Sequence, residues 1–164
     1  MFGELKISFV AIVDNSNNMV SSFGTRIWHH QNFVNGLLKD KTCIFGRETY
    51  DITQWKGNKS WVLTTDQNWR RSGIGAISDI EDVRLFSEDD EVFVLGGKSL
   101  YYELKDYVDT LYLYVVNNNE GTIPWINLDM KLWNASEYHT NKVWSFAKLE
   151  KVKKKTRKRI AKEK

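Results

Sequence analysis

A chain of 164 residues with 41% hydrophobic content and one proline fits a single globular domain and excludes a largely disordered protein. Its net charge of +3 hides an uneven distribution: from Lys151 to Lys164 nine Lys and Arg stand against Glu163, which leaves 15 basic and 20 acidic side chains in residues 1–150. The lone Cys43 excludes an internal disulfide and fits a reducing compartment, and no apolar run approaches membrane-spanning length.

The first apolar run, Ile7 to Val13, reads as a buried strand ended by Asp14, and the polar stretch Asp14 to Thr25 reads as a long loop. Trp28 to Lys39 has helical spacing, with Phe33 and Leu37 on the inner face. Strand Thr42 to Phe45 then runs into Gly46, Arg47, Glu48, Thr49, Tyr50, which opens a short helix to about Ile52. A loop through Gly57 leads to strand Ser60 to Leu63, which ends in the hydroxyl residues Thr64 and Thr65 followed by Asp66. A short strand at Ala76 to Ser78 precedes a helix from Asp79 to about Phe86. Strand Glu91 to Leu95 runs into Gly96, Gly97, Lys98, Ser99, Leu100, Tyr101, which opens a helix to Lys105. Thr110 to Val116 is the next strand, and two strand-like segments, Leu132 to His139 and Lys142 to Leu149, flank the turn-like Thr140 and Asn141.

The order of elements predicts one α/β domain over residues 1–150: a mostly parallel central sheet with helices on both faces and an antiparallel C-terminal hairpin. Residues 151–164 form a basic tail, a contact for nucleic acid or an acidic partner, or a solvated extension. With no charged start leading into an apolar stretch, a cytoplasmic protein is expected.

Two of the strand-to-helix transitions carry glycine. An apolar strand that ends in glycine and then opens a helix presents backbone N–H groups at one edge of a sheet, where anions bind. Arg47 and Lys98 add positive charge there, so two such junctions suit a ligand with two separated phosphate groups, a dinucleotide. Cys43 and the scattered His29, His30 and His139 give no zinc-ligand spacing, and no GxSxG, Walker-type loop or HExxH is present, so no metal is expected.

Taken together, strand Ile7 to Ile12, the loop from Asn18 through Gly24 to Trp28, Gly46 to Tyr50, Gly57 before Trp61 to Thr65, Gly96 to Tyr101, and Leu111 to Leu113 followed by Glu120 to Pro124 resemble the dihydrofolate reductase family. The resemblance covers roughly residues 5–150 and implies NADPH as cofactor, held by Gly46, Arg47, Thr49, Thr64, Thr65, Gly96, Gly97, Lys98, Ser99 and Tyr101. In it Arg47 and Thr65 face the 2′-phosphate, Thr49, Gly97, Lys98 and Ser99 face the pyrophosphate, and Ala11, Ile12 and Val20 lie by the nicotinamide. It also implies a cis Gly96–Gly97 peptide bond and a substrate side formed by Val10, Trp28, Phe33, Ile52 and Leu95.

The substrate half departs from the family pattern. No acid stands between Trp28 and Lys39, where the family places its pterin-binding carboxylate; His30 is the first candidate for that position, with His29 and Asn32 as rivals. The partnering hydroxyl aligns with Tyr114, and Asn58 or Lys59 stands where an arginine usually grips the glutamate tail. The implied activity is NADPH-dependent reduction of dihydrofolate to tetrahydrofolate by a monomeric enzyme, with His30 and Tyr114 as catalytic candidates. The alternatives are a reductase of the same fold acting on another pterin or a pyrimidine, and a non-catalytic nucleotide-binding or assembly protein.

Overall fold

The apolar runs become the inner strands of a sheet that has ten strands among the described residues. The computed structural model describes residues 5–19, 36–47, 50, 59–70, 73–85, 89–116, 123–125, 129–140 and 144–152. In chain order the strands are β1 (Lys6–Val13), β2 (Asn18–Met19), β3 (Thr42–Gly46), β4 (Lys59–Leu63), β5 (Gly75–Ile77), β6 (Glu91–Val94), β7 (Thr110–Val116), β8 (Ile123–Pro124), β9 (Trp133–Thr140) and β10 (Trp144–Lys151). Across the sheet they lie in the order β5-β4-β3-β6-β1-β7-β10-β9, with β2 pairing β1 and β8. The contacts from β5 to β7 are all parallel, and β10 is antiparallel to both β7 and β9. Parallel strands covered on both faces bury nearly every residue, which is why β1, β3, β6 and β7 read as continuous apolar runs.

Alternate side chains of each strand enter opposite cores. Ile7, Phe9, Ala11 and Val13 of β1, Ile44 of β3 and Val92 and Val94 of β6 form one core, closed by Leu100, Tyr101 and Leu104 of helix α1 (Lys98–Leu104) and by Ile80 and Val83. Val10, Ile12, Cys43, Phe45, Phe93, Leu95, Tyr112 and Tyr114 form the other, with Leu37, Leu38 and Tyr50 packed on it. Helical residues therefore cover both faces. Among the described residues no helix is long and apolar enough to cross a membrane.

Three segments differ from the sequence reading. Asn18 and Met19 lie within the expected long loop yet form β2, because Met19 pairs with Val13 and Ile123, and Asn18 with Pro124. The helix expected from Asp79 is a 3-10 segment, Ile80–Leu85, opened by Asp79, whose Oδ1 accepts the Glu81 N–H at 2.9 Å. A second 3-10 turn, Met130–Leu132, precedes β9, which begins at Trp133. The sheet also runs past residue 150: Lys151 pairs with Trp133, and the Val152 N–H donates to the Leu132 carbonyl at 2.7 Å.

At the N-terminal ends of the parallel strands, charges close on one another. The Ser8 hydroxyl donates to Glu91 Oε2 at 2.6 Å, and Lys6 Nζ lies 3.7 Å from the same oxygen. The Thr42 hydroxyl donates to Asp89 Oδ2 at 2.6 Å, and Lys59 Nζ stands 3.4 Å from that carboxylate. The Thr42 bond, with Lys59 behind it, holds the Asp89 carboxyl below the usual carboxylate range. Asp109 caps β1, its Oδ2 accepting the Ile7 N–H at 3.0 Å while its own N–H donates to the Ile7 carbonyl at 2.7 Å.

Candidate functional site

The chain leaves β3 for β4 on one side and leaves β6 for β7 on the other, yet β3 and β6 are neighbours. Between the C-terminal ends of such a pair the connections diverge, and in open α/β sheets ligands bind there. Both glycine signatures meet at this point. The Gly46 N–H donates to the Gly96 carbonyl at 2.6 Å, and the Leu95 N–H donates to the Ile44 carbonyl at 2.9 Å. A Cβ on Gly46 would stand 3.4 Å from Gly97 N and 3.5 Å from Gly96 O, so the two junctions are in contact across the sheet.

The Gly96–Gly97 peptide bond is cis, as the resemblance implies. Gly96 has φ 126°, a region that L side chains rarely adopt. Gly97 caps α1 with no side-chain hydrogen bond, and the first turn of the helix contains no acid. Lys98 and Ser99 are exposed there, so the donor groups at this end of the sheet suit an anion. The first helical bond runs from the Tyr101 N–H to the Gly97 carbonyl at 3.0 Å.

Tyr101 points into the core rather than outward. Its ring packs 4.9 Å from Phe9, and its hydroxyl donates to the Val10 carbonyl at 2.5 Å. Full burial drives its phenol above the ordinary tyrosine range, so it stays protonated. Through that bond α1 fixes β1 at Val10. The glycine junction and the strand carrying Val10, Ala11 and Ile12 are thus one mechanical unit.

Arg47 and the end of β4 complete the same edge, because β3 and β4 are parallel and Gly46 lies beside Leu63. The Arg47 guanidinium donates to Asp66 Oδ2 at 3.2 Å, and both side chains are partly exposed. Thr64 Oγ1 accepts the Asp66 N–H at 3.0 Å, and Asp66 Oδ1 accepts the Asn68 N–H at 2.9 Å. Thr65 is exposed next to them. Asp66 was legible in sequence only as the end of a strand. Its pairing with Arg47 follows from the adjacency of β3 and β4, which no local pattern encodes.

On the other core face Val10, Ile12, Leu95 and Tyr114 come together, and Ala11 points to the opposite side with Tyr101. Register places Ile12 beside Tyr114 and Tyr114 beside Phe146, whose ring centroid lies 4.9 Å from that of Tyr114. Burial, with a smaller contribution from Tyr112, pushes the Tyr114 phenol above the usual range. Near neutral pH it is a proton-bearing group and not a phenolate. Cys43 shares this core, and burial pushes its thiol up to about 12, so it is an inert structural residue.

Val20, Trp28, His29, His30, Asn32, Phe33, Thr49, Ile52, Asn58 and the tail from residue 153 lie outside the described residues. Lys59 begins β4, at the end of the strand opposite Thr64, and its ammonium is turned to Asp89. Among the described residues no group of three His, Cys, Asp or Glu is placed to hold a metal ion.

The family model described as dihydrofolate reductase matches residues 6–155. A dihydrofolate reductase from Staphylococcus aureus (strain Mu50) is 31% identical over 94 residues, which cover 54% of this chain and 58% of that protein. The chain thus spans 58% of the length of that relative. A dihydrofolate reductase from Bacillus subtilis (strain 168) is 27% identical over 134 residues, covering 77% of this chain and 79% of that protein. Among solved structures, a dihydrofolate reductase from Enterococcus faecalis complexed with NADP(H) superimposes with a TM-score of 0.72 at 16% identity, over 89% of this chain and 96% of that one.

Proposed function

From the premise that the chain belongs to the dihydrofolate reductase family, we propose that it is an NADPH-dependent reductase of dihydrofolate. The observation that carries this reading is the meeting of Gly46–Arg47, Thr64–Thr65 and Gly96–Ser99 at one end of adjacent parallel strands, bridged by the Gly46-to-Gly96 hydrogen bond. These residues fit the cofactor by donor chemistry: a guanidinium, an ammonium, hydroxyls, and a helix start with neither a side-chain cap nor an acid.

In this reading Arg47 and Thr65 hold the 2′-phosphate, with Thr64 beside them, and Gly97, Lys98 and Ser99 face the pyrophosphate. Thr49 and Val20 join from the sequence reading. When bound, NADPH supplies a hydride to pterin C6, while a proton is added at N5, so the C6–N5 double bond is reduced and the nicotinamide is oxidised. The chain's own residues orient and exclude water: Val10, Ile12 and Leu95 give an apolar wall, and Tyr101 fixes β1 against α1. Tyr114 carries a phenol that keeps its proton. His30 is the candidate for the position that lacks a carboxylate, where a neutral imidazole offers one acceptor and one donor in place of a bidentate acceptor.

The substitution of that carboxylate favours one second reading, a reductase acting on another pterin or a pyrimidine. One assay separates the two. NADPH absorbance is followed with and without dihydrofolate, and consumption that depends on dihydrofolate is expected. NADPH binding without dihydrofolate turnover at high enzyme concentration overturns the folate assignment and leaves the second reading and a non-catalytic nucleotide-binding protein. Failure to bind NADPH overturns both.

A further inference from the structure

Asp66 is fixed by its own turn as well as by its ionic partner. Oδ1 accepts the Asn68 N–H at 2.9 Å, its backbone N–H donates to Thr64 Oγ1 at 3.0 Å, and Oδ2 accepts from Arg47 Nη1 at 3.2 Å. The carboxylate therefore stays in place when Arg47 turns part of its fork to another anion. A guanidinium has five donors, and a monodentate contact with Asp66 leaves most of them for a phosphate. Both side chains are reachable from solvent, at 46% and 40% exposure.

We infer that Asp66 is a specificity-determining residue for the adenosine ribose of the cofactor. The inference rests on the reading above, in which Arg47 and Thr65 face the 2′-phosphate. One carboxylate has two effects that point the same way. It repels a dianionic phosphate held on the guanidinium it shares, and it offers an acceptor to a ribose hydroxyl where no phosphate is present. Asp66 thus narrows the preference for NADPH over NADH that Arg47 creates.

The test is binding, not turnover. Tryptophan fluorescence of the full-length wild-type chain and of Asp66→Asn is titrated with NADPH, NADH, adenosine 2′,5′-bisphosphate and AMP at low ionic strength. Asparagine keeps the Oδ1 acceptor for the Asn68 N–H, so the turn survives the change. Removing one negative charge a few ångström from a dianion is expected to raise the ratio of the NADH Kd to the NADPH Kd about tenfold. The two adenosine fragments shift by the same factor, and high salt shrinks the gain. A ratio that stays constant or falls in Asp66→Asn, while the wild type binds NADPH, overturns the role of Asp66 and leaves the functional reading standing. A wild type that binds neither dinucleotide overturns both.

Discussion

At the N-terminal ends of β3, β4 and β6 the side chains bond to each other and to β1: Thr42 and Lys59 to Asp89, and Ser8 and Lys6 of β1 to Glu91. At the C-terminal ends of the same strands stand glycines, exposed hydroxyls, Lys98 and a half-exposed Arg47–Asp66 pair. Strand pairing is common to both ends, so it does not explain the difference. What differs is the use of polar groups. One end satisfies its donors within the fold, and the other keeps donors facing outward at the point where the sheet connections diverge. Substitutions at the first end are therefore expected to change stability and leave cofactor binding alone, and those at the second to do the reverse, except where the backbone itself is special.

The largest effect belongs to that exception. Gly96→Ala forces a Cβ onto a residue at φ 126° and is expected to cost about 1–3 kcal/mol in urea denaturation and to weaken NADPH binding together with it. Equal stability would mean that the junction adapts, and the two ends would be less distinct than proposed. Arg47→Gln separates binding from folding more cleanly. Its NADPH Kd is expected to rise at least about tenfold through loss of a charge-assisted phosphate contact, while the loss of an exposed ion pair changes unfolding free energy by no more than about 0.5 kcal/mol. An unchanged Kd would move the phosphate elsewhere.

Thr42→Val probes the opposite end. Loss of the bond to Asp89 is expected to cost about 1 kcal/mol of stability with no change in NADPH Kd. Asp89 has a depressed carboxyl, so its contribution is present above the ordinary value of 3.8 and is lost as pH falls through the lower folded value. Removing the largest cause of that depression should flatten acid destabilisation below pH 3.8, measured as unfolding free energy against pH. The smallest effect is kinetic. Cys43 in the folded protein should resist an aromatic disulfide reagent at pH 8 and react fully once unfolded. Burial pushes its thiol from the ordinary 9.0 up to about 12, so the folded state loses stability relative to the unfolded chain as pH rises between those values. Cys43→Ala should shallow the loss of stability over that interval.

Sequence legibility follows the range of the interactions. Buried parallel strands advertise themselves, because both faces are apolar, and β1, β3, β6 and β7 stood out for that reason. The glycine junctions were visible as local patterns, although their contact was not, since Gly46 and Gly96 meet only after β6 inserts between β3 and β1. β2 and β8 are two-residue pairings between distant segments, and neither Asn18–Met19 nor Ile123–Pro124 has strand character alone. Residues 80–85 have helical spacing but close as a 3-10 turn on Asp79. The Arg47–Asp66 pair needs the β3–β4 adjacency before it has meaning. For the substrate half, Val10, Leu95 and Tyr114 lie on one core face, and the remaining candidates, His30 among them, lie outside the described residues.

Amide hydrogen exchange on the full-length chain, with and without saturating NADPH, tests the difference between the two ends most directly. The account predicts added protection at residues 46–47, 64–66 and 96–100, and none at 6–8, 89–91 or 109. Protection spread evenly over both ends, or concentrated at the N-terminal ends of the strands, would contradict it.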